Sequence, residues 1–284
     1  AGPTLTLNCN TPSLQLNGSN SSTGSFMTYL WTTANGNIVS GATTTMPTIN
    51  QAGTYVLLVT NTNNGCTTTA TATVLKDVAA PIVSIAAPAP LNCISTSIVI
   101  DGSNSSQGSP FQLSWSGPQG GIVAGASTLQ PTVNLPGTYT LIISNPQNGC
   151  VDSMAVQVVQ DITPPTPDAG PDDLVNCYTP SIAIGSANNP SGPNFTLLWS
   201  TTNGNIVSGA GSNTPTVDQA GIYTLLITNT DNGCTATDEA IVTEDFLQPT
   251  ADAGPTLMLN CNAPDLQLNG SNSSTGSFMT YLWT

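Results

Sequence analysis

The sequence predicts an all-β protein built from serial β-sandwich repeats, and three observations carry this prediction. Cysteine and tryptophan recur with a period of 84 residues along the 284-residue chain. Short apolar–polar alternations typical of strands are separated by Asn-Gly, Gly-Ser and Pro turn signals. No segment shows the sustained 3.6-residue apolar period of an amphipathic helix. A period of this length is typical of tandem domains, so we expect each repeat to form one domain.

The period is kept without insertion or deletion. It predicts three complete domains and the N-terminal part of a fourth, arranged as an extended rod: residues 1–80, 81–164, 165–248 and 249–284. The members that recur are the cysteines Cys9, Cys66, Cys93, Cys150, Cys177, Cys234 and Cys261, the tryptophans Trp31, Trp115, Trp199 and Trp283, and the tyrosines Tyr55, Tyr139 and Tyr223.

The last residues restart the first repeat. Residues 253–284 match residues 1–32 at 29 of 32 positions, which indicates a higher-order unit of 252 residues. The differences are Thr6/Met258, Thr11/Ala263 and Ser13/Asp265. We therefore expect the chain to be a piece of a longer array. The alternative is a true terminus whose half-domain needs a partner chain to cover its open sheet.

Each repeat carries the pattern of about seven short strands. The clearest alternation is Tyr55-Leu57-Val59, which recurs in the next two repeats, and shorter ones occur at Leu5–Cys9, Leu14–Leu16 and Tyr29–Trp31. Seven strands in a domain of this size are typical of a two-sheet, immunoglobulin-like sandwich. We expect the recurring tryptophans to fill the core, and the recurring Gly-x-Tyr to form a tyrosine corner.

Composition excludes several classes of function. The chain has one Lys or Arg, no His and 15 acidic residues, for a net charge of −14. Nucleic-acid binding needs several cations to neutralise phosphates, and this chain has one. Catalysis by a histidine acid or base is excluded because the chain has no histidine. No apolar run approaches the roughly 20 residues of a membrane span. We therefore predict no enzyme activity, no nucleic-acid partner and no membrane insertion in this segment.

Several runs carry a family resemblance: Asp252–Pro255, Tyr29–Thr33, Gly53–Tyr55 and Asn61–Cys66. Together they resemble the tandem PKD-like, immunoglobulin-like repeats of very large secreted surface adhesins of Bacteroidota-type bacteria. The resemblance covers essentially the whole chain. It implies an extracellular, rod-forming region on the cell surface or in a secreted fibre, with ligand specificity, for example for surface glycans, in other modules.

Cysteine parity leaves two pairing schemes. Pairs 9–66, 93–150 and 177–234 leave Cys261 over, whereas pairs 66–93, 150–177 and 234–261 leave Cys9 over. Cys66 opens the last strand of its repeat, about 33 Å of strand away from the next domain, so a bond to Cys93 is unfavourable. The first strand is expected to lie beside the last, which favours Cys9–Cys66. This scheme predicts that Cys261 pairs with a cysteine at position 318. Disulfides indicate an oxidising, extracellular setting.

Acidic residues recur near the predicted linkers. They are Asp77, Asp161 and Asp245, with Asp168 and Asp252 further on. Carboxylates at a domain junction are suitable calcium ligands, so calcium at the linkers is one prediction and a solvated acidic face is the other. No other cofactor is expected.

These observations predict a structural, adhesive stalk or fibre segment without catalysis, whose partners are itself or neighbouring repeats. Two alternatives stay open. One is a non-covalently assembled filament subunit whose incomplete last domain is completed by a neighbouring chain. The other is an accessory carbohydrate-binding array of a secreted hydrolase, although aromatic residues make up only 5% of the chain.

Overall fold

A computed structural model describes residues 2–284. These residues form strands, turns and irregular segments, and the described part of the chain contains no helix. The chain divides into two compact units, Ala1–Ile162 and Thr163–Thr284. The four predicted domains are a finer division than these two units, and their limits stay a prediction.

Repeat 1 forms two facing sheets. The strands are β1 Leu5–Asn8, β2 Leu14–Gln15, β3 Met27–Thr33, β4 Ile38–Ser40, β5 Thr48–Ile49, β6 Gly53–Asn61 and β7 Thr67–Asp77. The larger sheet has the strand order β1-β7-β6-β3 and the smaller the order β2-β5-β4. The side chains of both sheets that face each other, among them Leu7, Leu16, Ile49 and Leu57, form one buried cluster.

Repeat 3 has the same two sheets, whereas in repeat 2 the first strand and the end of the last strand form a separate two-stranded sheet beside a three-stranded one. The strands of repeat 2 are β8 Leu91–Asn92, β9 Ile98–Val99, β10 Gln112–Ser116, β11 Ile122–Ala124, β12 Thr132–Val133, β13 Gly137–Asn145, β14 Cys150–Val158 and β15 Gln160–Asp161. Those of repeat 3 are β16 Asp173–Asn176, β17 Ile182–Ala183, β18 Phe195–Thr201, β19 Ile206–Ser208, β20 Thr216–Val217, β21 Gly221–Asn229 and β22 Thr235–Asp245. Each repeat has its own core cluster. The prediction of an all-β chain of tandem immunoglobulin-like sandwiches is confirmed.

The direction of the first strand determines where each repeat ends. In repeat 1, β1 pairs in parallel with the last strand, β7, and the pairing closes at Asn8 opposite Asp77. The other neighbours in this sheet are antiparallel. Repeats 2 and 3 repeat this parallel pair, closing at Asn92 opposite Asp161 and at Asn176 opposite Asp245. The residue after the first strand therefore lies at the end where the chain leaves the domain.

The recurring aromatic residues sit at equivalent places. Tyr55, Tyr139 and Tyr223 have no exposed surface, Trp31 and Trp199 are 2% exposed, and Trp115 is half-buried. Each of these three indole N–H groups donates to the carbonyl 13 residues further on; Trp31, for example, donates to Thr44 over 3.0 Å. The indole thereby crosses the core and satisfies its one polar group at the rim.

Each recurring tyrosine anchors a loop. The Tyr55 hydroxyl donates to the carbonyl of Gln51, four residues upstream, and accepts from the amide of Asn37. Tyr139 and Tyr223 donate to Leu135 and Gln219 in the same way. Gly36 faces the Tyr55 hydroxyl so closely that a Cβ would lie 2.4 Å from it. This is the arrangement of a tyrosine corner.

Residues 249–284 differ from the complete repeats. Their sole β-pairing is an isolated bridge between Asn260 and Ala263. Trp283 is 54% exposed. Its counterpart Trp31 is covered by residues of β6 and of the loop before β5, and residues 249–284 correspond only to the part of the repeat before these elements. The assignment of Trp283 to a core therefore stays a prediction.

Candidate functional site: the covalent joint between repeats

A disulfide joins repeat 1 to repeat 2. Cys9 directly follows β1, and its sulfur is bonded to Cys150, the first residue of β14, across 141 residues of chain. The two Cα atoms lie 5.1 Å apart, inside the range that a disulfide spans without moving the backbone. Cys150 is 1% exposed, so the bond is covered on the side of repeat 2.

The predicted pair Cys9–Cys66 is therefore wrong, although the two strands are neighbours as expected. Because β1 runs parallel to β7, Cys9 lies beside Asp77, at the far end of β7, whereas Cys66 precedes its first residue. The 11 residues of β7 separate the two positions by roughly 36 Å along the strand. Neighbouring strands would bring these cysteines together only if they were antiparallel.

The other two predicted pairs are wrong for the same reason. Cys93 follows β8 and Cys150 opens β14, and Cys150 is bonded to Cys9. Cys177 is a free, exposed thiol, so it is not bonded to Cys234. Cys93 and Cys234 are each disulfide-bonded. Cys66 and Cys261 are free and exposed, and the partner predicted for Cys261 at position 318 lies outside the sequence.

A buried amide reinforces the joint. Asn148 is 1% exposed, and its side-chain nitrogen donates to the carboxylate of Asp77 over 2.9 Å and to the carbonyl of Ala79 over 3.0 Å. Its own carbonyl accepts from the amide of Cys9 over 2.9 Å. The turn of repeat 2 thus contacts the last strand, the linker and the first-strand end of repeat 1. Charge-assisted hydrogen bonds of this kind are the stronger ones.

The turn that carries Cys150 has little room for variation. Gly149 has a φ of +72°, and a Cβ there would lie 2.1 Å from the side chain of Asn10. A larger residue is therefore strained by its backbone and blocked by repeat 1. The sequence Asn-Gly-Cys recurs at 64–66, 148–150 and 232–234. Its role at the joint could not be predicted, because the pattern within one repeat does not show which residues of the next repeat it contacts.

The second unit repeats part of this geometry. Asn232 is 2% exposed and donates to the carbonyl of Thr163 over 2.9 Å, as Asn148 does to Ala79. The backbone amides of Cys150 and Cys234 each donate to the side-chain oxygen of the Asn two residues earlier, over 3.0 Å. An Asn-Gly-Cys turn packed on the linker is thus a recurring device.

The linker acids are engaged in local hydrogen bonds. Asp77 accepts from Asn148, Asp168 from the amide of Gly170, and Asp245 from the amide of Leu247. Asp252 accepts from Gly254 and Asn272, and these bonds lower the pKa of its carboxyl. Residues 2–284 contain no group of three or more His, Cys, Asp or Glu side chains placed to hold a metal. Calcium at these positions, including Asp161, stays a prediction.

Comparison with protein-family models and with curated proteins finds no match. Among the described residues, no helix is long and apolar enough to span a bilayer. Similar solved structures include extracellular domains 3–5 of Drosophila OTK, at 12% identity, a TM-score of 0.30, and coverage of 85% of this chain and 93% of that one.

Two further solved structures each match 85% of the chain at 11% identity. The eight N-terminal Ig domains of Down Syndrome Cell Adhesion Molecule are covered to 35% with a TM-score of 0.40, and Drosophila N-cadherin EC1-4 to 73% with a TM-score of 0.33. At these values the likeness carries no argument, and the assignment of the fold rests on the sheets described above.

Proposed function

We propose that this chain is a structural segment, placed under tension, of an extracellular bacterial stalk or fibre, of the kind found in large Bacteroidota-type surface adhesins. The observation that carries the proposal is the disulfide between successive repeats, Cys9–Cys150. Bonds of this type persist in oxidising compartments outside the cytoplasm. The role is structural, without catalysis, and its partners are neighbouring repeats or further copies of the same protein.

The position of the bond determines how tension passes through the chain. A pull on both ends reaches Cys9 and crosses directly to Cys150 through the sulfur atoms. The residues between them, which include most of repeats 1 and 2, then lie outside the covalent path under load. A segment of this kind resists extension even when a sandwich loses its fold, which is the property a tether needs.

The surface composition supports an exposed, long-lived segment. The chain has a net charge of −14 and a single basic residue, Lys76, which lies within β7. Trypsin-like proteases therefore have one target in the whole chain, and that target is held in a sheet. The two alternative roles, a filament subunit and a carbohydrate-binding array, stay predictions.

Single-molecule force spectroscopy tests the proposal. The full chain is held by its two ends and stretched to complete extension, first oxidised and then in dithiothreitol. We expect the reduction of this bond to lengthen the contour by roughly 500 Å, because 141 residues join the loaded path at about 3.6 Å each.

Two further measurements sharpen this test. The variant Cys66→Ser, which removes a free thiol, is the matched control and should extend like the oxidised parent chain. An equal contour length in both redox states would overturn the load path. Binding of the oxidised chain to soluble polysaccharides would instead favour the carbohydrate-binding alternative.

A further inference from the structure

Six Asn-Gly steps lie in residues 1–248, at 17–18, 35–36, 64–65, 148–149, 203–204 and 232–233. In such a step the glycine nitrogen can attack the side-chain carbonyl carbon of the asparagine, because glycine has no side chain to hinder the approach. Ammonia leaves, a five-membered succinimide ring forms, and water opens the ring to aspartate or isoaspartate. Each step is thus chemically able to lose its amide without an enzyme.

The fold engages the attacking nitrogen in every one of these steps. Each glycine amide donates a hydrogen bond of 2.7–2.9 Å to a backbone carbonyl or to a threonine hydroxyl. The amide of Gly149, for example, donates to the carbonyl of Asn145 over 2.8 Å. Cyclisation requires this bond to break and the nitrogen to lose its proton. The reaction therefore follows local opening of the turn, and its rate reports how often the turn opens.

Asn148 is held more firmly, because its side chain belongs to the joint. The side-chain nitrogen, which would leave as ammonia, donates to the Asp77 carboxylate and to the Ala79 carbonyl. The side-chain oxygen accepts from the amide of Cys150 over 3.0 Å. The residue is also buried, which keeps away the water that opens the ring. Asn148 can therefore react only when repeat 1 and repeat 2 separate at the joint.

Loss of the amide would reverse the polarity of this contact. An aspartate at position 148 has no side-chain N–H to donate, so Asp77 and Ala79 would lose the donor that holds them. A second carboxylate would instead face the carboxylate of Asp77 in a buried site, and two like charges at that distance disfavour each other. The product would therefore oppose the closure that the amide supports.

Isoaspartate would also change the backbone. Its main chain runs through the former side-chain carbonyl, which adds one methylene carbon to the backbone just before Gly149. The turn has little room for an extra atom, since a Cβ on Gly149 would lie 2.1 Å from the Asn10 side chain. The next residue is Cys150, whose Cα lies 5.1 Å from that of Cys9. Isoaspartate would therefore displace the cysteine as well as remove the amide.

The step from Asn35 to Gly36 supplies a reference within the same chain. The side-chain oxygen of Asn35 accepts from the amide of Thr54 over 3.0 Å. The amide of Gly36 donates to the hydroxyl of Thr33 over 2.9 Å. All four residues belong to repeat 1, so these bonds do not depend on the joint. Opening of the joint should leave this step protected, whereas unfolding of repeat 1 should expose it.

We propose that Asn148 is a modification site that the joint controls: when the Cys9–Cys150 bond is broken, Asn148 cyclises with Gly149, and the resulting carboxylate keeps the two repeats apart. A dithiol breaks the bond by becoming a cyclic disulfide, which leaves two protein thiols. Cyclisation and hydrolysis then consume one water and release one ammonia. Because the ammonia is lost, the change is irreversible, and an opened joint stays marked as open. The proposal concerns the chemistry of the joint alone and holds whether or not the chain bears tension.

Mass spectrometry of peptides tests whether the joint controls the reaction. The full chain and its Cys9→Ser variant are incubated without reductant, and a synthetic peptide of residues 144–152 gives the rate without a fold. We expect Asn148 to convert at least about tenfold more slowly in the full chain than in the peptide, and Cys9→Ser to remove most of that difference. Conversion at Asn35 should be equal in the two chains. Cys66→Ser, which removes a free thiol, should react like the parent chain.

A mimic of the product tests whether the carboxylate opposes closure. Asn148→Asp introduces it directly, and hydrogen exchange of the Cys9 amide, which donates to the backbone carbonyl of residue 148, reports opening of the joint. We expect this amide to exchange at least about tenfold faster than in the parent chain. Adding Asp77→Asn exchanges donor and acceptor and should restore part of the protection. Equal conversion of Asn148 in the full chain and in Cys9→Ser, equal acceleration at Asn35, or unchanged exchange in Asn148→Asp would overturn the proposal.

Discussion

Replacing Cys9 by Ser measures what the joint contributes to stability. The disulfide closes a loop of 141 residues, and the chain-entropy model assigns such a loop at most about 5 kcal/mol at 25 °C. Cys9 is the better partner to replace because it is exposed, whereas a hydroxyl at the buried Cys150 would add a desolvation cost. We therefore expect the variant to lose up to about 5 kcal/mol of unfolding free energy.

Denaturant unfolding, followed by tryptophan emission without reductant, measures this loss. The free energies come from the linear dependence on denaturant concentration. Cys66→Ser is the matched control, since Cys66 is free and exposed and its replacement breaks no bond. Equal midpoints for the parent chain and Cys9→Ser, or an equal shift in Cys66→Ser, would refute the reasoning.

Trypsin tests the connectivity behind this magnitude. The unfolded, unreduced chain can be cut only after Lys76, between Cys66 and Cys93. With Cys9 bonded to Cys150 the two fragments stay linked, so a gel shows one band without reductant and two bands with it. A bond between Cys9 and Cys66 would lie within the smaller fragment and would leave that fragment free to separate under both conditions.

Three more outcomes follow from single groups. Asn148→Ala should cost about 1–3 kcal/mol of unfolding free energy, because it removes the bond to the carboxylate of Asp77 and the bond to the carbonyl of Ala79. Asn64→Ala, in the equivalent exposed turn, should cost distinctly less. Tyr55→Phe should cost about 1 kcal/mol for its lost hydroxyl bonds, against about 0.5 kcal/mol or less for the 96% exposed Tyr178→Phe. Burial raises the pKa of Tyr139 above its usual value of 10.0, so the neutral form stabilises the fold below that pH and this contribution falls as pH rises further; an alkaline unfolding series measures it.

The sequence was sufficient to predict the fold because local signals and the repeat agree. The alternation around Tyr55, Leu57 and Val59 follows the pleat of β6, and these three residues are buried. The period of 84 residues then extends the pattern of one repeat to the others. Pattern, turn chemistry and periodicity are all local or repeated properties, and a single chain displays them directly.

The direction of the first strand of each repeat could not be predicted from the sequence. Alternation predicts that β1 is a strand, but it reads the same in either direction, and a short first strand can join the sheet parallel or antiparallel. The parallel choice is made by the chain path through the domain, which carries β1 across to the edge beside β7. Every cysteine pair predicted within a repeat required the first strand to run antiparallel to the last strand.

The same parallel pair explains why the joint has the chemistry it has. It brings the first-strand cysteine, the last-strand aspartate and the linker to one end of the repeat, where the next repeat begins. With one basic residue, the chain cannot build every joint on ion pairs. At this joint the side-chain amide of Asn148 donates to Asp77, and the Cys9–Cys150 bond joins the two repeats covalently. Replacing Asn148 by Lys tests this directly. The longer side chain would place its positive charge at a site that is 1% exposed, where desolvation is costly. We therefore expect a lower unfolding free energy, even though the ammonium group attracts Asp77 more strongly than the amide does.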